Sequence, residues 1–171
     1  MPATLQEAFD EVSTIVTSTA SLVASPGSPV NAAGNPVFER HPARLELSDI
    51  EDTAIHRRFH VVLEGINPPS DTSRRMSGSL TDTDFTVTVQ VGYYDGGGDA
   101  VTTYDRHGVD RLAANDIVRL ISHLEHPDNY NQATTGIQLV HWLGSRRVDP
   151  GGNKRIYAVQ FRLWVEHDRL T

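Results

Sequence analysis

The chain has 171 residues, 38% of them hydrophobic and 22% charged, with a net charge of −7 and no cysteine. That length supports one sizeable hydrophobic core rather than two. The acidic balance excludes a general nucleic-acid binder, which needs a basic surface, and the lack of cysteine excludes a disulfide framework, a thiolate nucleophile and a cysteine-ligated metal.

The first segment, "MPATLQEAFDE", is acidic and amphipathic where a signal peptide is basic and then continuously apolar. No run approaches the ~18 apolar residues of a membrane span, so the expectation is a soluble, unexported protein with no membrane partner. From Thr4 onward, Leu5, Ala8, Phe9, Val12, Ile15, Val16 and Leu22 recur at helical spacing behind a Thr4-x-x-Glu7 capping box. Serine and threonine crowd the second half and weaken the helix beyond about Thr17. Residues 25–42 hold four prolines among Gly, Ser and Asn and read as an extended connection inside one domain.

The period then changes to two. "RFHVVLEGI" sets Phe59, Val61 and Leu63 against His60, Val62 and Glu64, and "DFTVTVQVGYY" sets Phe85, Val87, Val89, Val91 and Tyr93 inward against Thr86, Thr88 and Gln90 outward. These two strands are expected to pair. Residues 67–84 between them are polar and rich in Gly, Pro and Ser, which predicts a long projecting hairpin loop; loops of that length are usually functional or disordered. A second amphipathic helix follows, its stripe formed by Val109, Leu112, Ala113, Ile117, Leu120, Ile121 and Leu124, with Asp110, Arg111, Asp116, Arg119 and His123 off it and Pro127 ending it. Two more strands, near 136–147 and 154–167, flank the "VDPGGNK" turn, where proline fixes φ and glycine accepts a positive one. The sum is a single α+β domain over 1–171: a mostly antiparallel β-sheet with two helices packed on one face and a long β-hairpin loop.

The candidates for chemistry are weak on geometric grounds. In a strand, His167 faces away from Glu166 and Asp168, and those two carboxylates sit ~7 Å apart, which suits a solvated strand end better than a compact acid/base site. His123 and His126 share a helix face but lack a third ligand, and His56 and His60 would be ~13 Å apart along a strand. "YYDGGGDA" precedes no helix directly and carries Asp95 and Asp99, which repel phosphate; weak calcium binding there is the remaining alternative. "MSGSL" falls in the polar loop with no nucleophile elbow, and Arg74-Arg75 and Arg146-Arg147 lack interleaved aromatics. The expectation is therefore no catalytic residue, no bound metal and no cofactor.

The last strand, "RIYAVQFRLWVEHDR", poses the sharpest question. Tyr157, Val159, Phe161, Leu163 and Val165 form a core face, on the order of 10 kcal/mol of gross burial, yet the opposite face holds Gln160, Arg162, Trp164 and Glu166. Trp and Arg are enriched where proteins touch one another, so these four are the candidate subunit interface or channel face; the alternative is a Trp164 covered by the chain's own N-terminal segment. On the interface reading, Arg162→Glu spares the fold and weakens assembly.

The order of elements over residues 45–168, most clearly the second helix followed by "GIQLVHWLGSRRVDPGGNKRIYAVQFRLWVEHD", resembles the tail terminator (tail-completion, neck) proteins of tailed bacteriophages. The resemblance lies in pattern and order and carries no signature residue. It implies a non-enzymatic virion protein, assembled in the host cytoplasm, that forms a ring, generally a hexamer, at the end of the tail tube. Its implied partners are copies of itself, the tail tube protein and the head-side connector or stopper, with DNA only passing through the channel. The alternatives are another neck or tail component (a head-tail stopper, adaptor or minor tail protein), a monomeric ligand-binding module, or a small metal-binding enzyme domain using His123, His126 and the Asp95/Asp99 loop.

Overall fold

The computed structural model describes residues 5–19, 28–47, 49–67, 80–95, 106–130 and 135–168. Helix α1 spans Leu5–Ser18 and α2 spans Arg106–Glu125, and five strands run as β1 (Glu39–Arg40), β2 (Arg58–Asn67), β3 (Leu80–Tyr94), β4 (Ile137–Val148) and β5 (Lys154–Asp168). They form one sheet in the order β1-β2-β3-β5-β4, antiparallel throughout except for the short β1–β2 pairing. Both helices pack on one face, which makes the fold the α+β arrangement the periodicities predict.

The period-2 pattern explains the core. Phe85, Val87, Val89, Val91 and Tyr93 of β3 lie across the ladder from Leu163, Phe161, Val159, Tyr157 and Arg155 of β5, and their apolar members close against Ala8, Val12, Ile15 and Val16 of α1 and Val109, Leu112, Ala113, Leu120 and Leu124 of α2. Thr4, which would open the capping box, and Leu22 lie outside the described residues. At the 148–154 turn, Gly151 and Gly152 have φ of 110° and 60°, the backbone that only glycine adopts without strain.

Four expectations need correction. The 67–84 loop is shorter than its composition predicts: β2 includes Asn67 and β3 starts at Leu80, so 80–84 are strand, and only 68–79 lie outside the described residues. Threonine is a β-branched strand former, and Leu80–Asp84 gain ladder partners in Trp164–Asp168, which the polar composition conceals. Within 25–42, the described part is not extended throughout. Val30 bridges Pro36 around a turn in which Asn31 Oδ1 accepts the amides of Ala33 and Asn35, and Phe38 is buried in the core.

Next, Thr88 and Gln90 of β3, expected to face outward into solvent, are buried. Residues 45–47 and 49–55 lie at that end of the outer face, where Leu45 and Ile55 pack with Ile156, and Gln90 Oε1 accepts the Leu45 amide at 3.2 Å. Gly92 lets Ile55 approach, since a Cβ there would stand 2.7 Å from the Ile55 carbonyl oxygen. Finally Asp116, expected off the buried stripe of α2, is buried and paired with Arg57.

Candidate subunit interface

Alternation along β5 places Gln160, Arg162, Trp164 and Glu166 on one face, as the sequence requires, and all four are half-buried. They do not sit at the rim of the sheet. β5 lies between β3 and β4, so each faces neighbours on both sides: Gln160 is opposite Thr88 and Gly144, Arg162 opposite Thr86 and His141, Trp164 opposite Asp84 and Leu139. Glu166 is paired across the ladder with Asp82, and its amide donates to the Gly136 carbonyl at 2.8 Å.

Arg162 has a task inside the subunit. Its Nε donates to Asp84 Oδ2 at 3.1 Å, with Nη2 bonded to the same oxygen; the Asp84 side chain is 2% exposed and that of Arg162 31%. A buried carboxylate needs a compensating charge, so Arg162 neutralises Asp84 and is not a freely available interface cation. That corrects the expectation that reversing its charge leaves the fold untouched.

The feature the sequence reading passed over lies one strand away. β4 is a sheet edge twelve residues long, and Leu139, Trp142 and Leu143 on it are 44%, 41% and 50% exposed. Long apolar edges invite pairing with another chain, which isolated proteins usually suppress with charges, proline or cover. β4 is partly blunted: Glu125 at the end of α2 accepts the Trp142 amide at 2.7 Å and approaches His141 Nδ1 at 3.5 Å, and the register shifts between Trp142 and Gly144. The signal was present in "LVHWLG", whose apolar residues fit neither face cleanly because a bulge interrupts the period.

The other described candidates are held by partners within the fold. His123 Nε2 lies 3.1 Å from Ser18 Oγ and Nδ1 lies 3.2 Å from Asn129 Nδ2, tying α1 to the turn after α2; desolvation and then His126 lower its pKa. His126 Nδ1 accepts the Asp128 amide as a cap. His56 accepts the Tyr94 amide and His60 bonds the His41 carbonyl, so these two histidines have different partners. Asp95 is buried against Arg155 at 3.0 Å, whereas Asp99 lies outside the described residues. Arg147 is held by Asp149 and Asp110, at 3.0 and 3.5 Å; Arg74, Arg75 and residues 76–79 of the "MSGSL" stretch lie outside the described residues. Tyr157 donates to Asp110 at 2.8 Å, and burial together with that carboxylate pushes its hydroxyl up to about 12. Among the described residues, no three His, Asp or Glu side chains converge to hold a metal, and no helix is long and apolar enough to cross a membrane.

Comparison with family models finds no match, and comparison with curated proteins finds none either.

Proposed function

We propose that this chain is a structural, non-enzymatic subunit that assembles into a closed ring, and that the ring is the terminator or a neighbouring neck component of a phage tail. The observation that supports assembly is that three large apolar side chains, Leu139, Trp142 and Leu143, are exposed on the edge strand β4, which Glu125 covers only at Trp142. Such exposed side chains cost a monomer solubility and stabilise an oligomer once withdrawn from water. The phage assignment rests on the resemblance in element order over residues 45–168. In that setting the partners are other copies of the chain, in the hexamer that the resemblance implies, together with the tail tube and the head-side connector. DNA passes through the channel without specific readout, in keeping with the net charge of −7.

Electron microscopy of the purified protein tests the ring directly, supported by mass in solution. Closed particles of uniform subunit number are expected. A homogeneous monomer at high concentration would remove the ring reading, and rings that fail to bind the ends of isolated tail tubes would remove the terminator assignment alone.

A further inference from the structure

We propose that neighbouring copies of this chain meet head to tail, the free side of β4 in one copy lying antiparallel beside the free side of β2 in the next. The inference rests on the ring reading and adds which surfaces touch.

The sheet has two different open sides. β4 is one of them along its length, and because β1 pairs only with Arg58 and Phe59, β2 beyond His60 is the other among the described residues. Both carry exposed apolar side chains: Leu63 and Ile66 on β2 are 46% and 65% exposed, matching Leu139, Trp142 and Leu143 on β4. These are five of the eight large apolar side chains exposed among the described residues, so the apolar surface is concentrated on the two sides that a sheet uses to extend itself.

Charge favours a pairing of unlike edges. β4 carries Arg146 and Arg147, the latter already held by Asp149 and Asp110, and no acid of its own, whereas residues 61–67 of β2 carry Glu64 and no base. A β4-to-β4 pairing would leave Leu63 and Ile66 in water. Direction agrees as well. Each step from β2 to β3 to β5 to β4 is antiparallel, so β2 and β4 run in opposite senses. Copies rotated about an axis parallel to the strands therefore bring β4 and β2 together antiparallel without inverting either one. A contact between two different surfaces repeats with every added copy and closes when the rotation allows, whereas a two-fold contact stops at a dimer. Glu125 already satisfies the Trp142 amide, so at that point the contact is made by side chains and not by the ladder.

Two variants, Leu143→Asp and Ile66→Asp, each damage one edge and leave the other intact. Each alone is expected to be a folded monomer by circular dichroism and sedimentation, and the equimolar mixture is expected to give a 1:1 pair through its one undamaged contact. Either variant assembling as the unaltered chain does, or the mixture remaining monomeric, would overturn the edge assignment. Should a variant misfold, the cysteine-free sequence permits a second measurement: Ile66→Cys and Leu143→Cys chains, mixed and treated with a short bis-maleimide, are expected to link 66 to 143. Predominant 143-to-143 links would overturn the head-to-tail contact. Rings of the unaltered chain together with rings of both variants would sink this contact alone, whereas a monomeric unaltered chain would sink the ring reading with it.

Discussion

Arg57 and Asp116, 59 residues apart in the chain, meet as a pair withdrawn from solvent: Arg57 Nε donates to Asp116 Oδ2 at 3.0 Å, and Tyr93 donates its hydroxyl to the same oxygen at 3.0 Å. Arg57 also donates to Ser28 Oγ at 3.1 Å and holds a left-handed backbone at φ 52°. The pair thus joins the 28–38 segment, β3 and α2 through one guanidinium, at a backbone cost of about 1–3 kcal/mol.

Removing one side of that pair strands a buried charge. Asp116→Ala is expected to destabilise the fold by about 3–5 kcal/mol in chemical denaturation, far more than Asp110→Ala on the same helix. Equal losses for the two variants would show that the pair contributes nothing beyond surface electrostatics.

Acid sensitivity should trace to His56. Desolvation first, and Arg57 beside it second, lower the pKa of this imidazole to about 4. Its folded pKa lies below the unfolded value near 6.5, so its contribution is fully present above about pH 6.5 and is lost as pH falls toward 4, roughly 3 kcal/mol at most by linkage. Melting temperature against pH for the unaltered chain and for His56→Gln checks this: the variant should show a shallower decline between pH 6.5 and 4.

Arg162→Glu is expected to destabilise the subunit by ~3 kcal/mol, because it places an anion beside the buried Asp84 carboxylate. The double variant Arg162→Leu with Asp84→Leu should recover much of that loss. Phe161→Asp, one residue away on the core face, should prevent folding altogether, exceeding the ~3–5 kcal/mol of a Phe→Ala truncation. Denaturation curves rank the three variants.

Gly92→Ala should cost about 1–3 kcal/mol, since the added methyl meets the Ile55 carbonyl oxygen, while Gly144→Ala, with open space around it, tests strain from its φ of 153° alone. Thermal melts of both separate the two effects; a larger loss at Gly144 would contradict the close packing at Gly92.

Local periodicity made the elements legible: α1, β3 from Phe85 onward, α2, the turn at Gly151 and Gly152, and the two faces of β5 follow from spacing alone. What it could not supply was neighbourhood. Thr88 and Gln90 read as solvent-facing because nothing in "TVTVQV" announces that both are buried, or that Gln90 will accept the Leu45 amide of a segment 45 positions away. Asp116 and Asp84 read as surface carboxylates because their partners, Arg57 and Arg162, are 59 and 78 positions away. The candidate interface was sought on β5, where Trp164 stands out among charges, because strand order is not written in a strand's own composition. Only the arrangement β3-β5-β4 reveals that β5 is interior to the sheet and that the neighbouring "LVHWLG" strand lies at an edge.

That same order carries a kinetic consequence. β5 follows β4 in the chain but lies between β3 and β4 in the sheet, and its pairing with β3 joins Leu80–Tyr94 to Lys154–Asp168 across α2 and β4. Closing so distant a pairing is slow compared with forming either helix. Until β5 inserts, β4 has no strand beside it and its apolar edge has no fixed shape to offer another copy. If copies associate through that edge as proposed, completion of the monomer must come before the ordered contact can form.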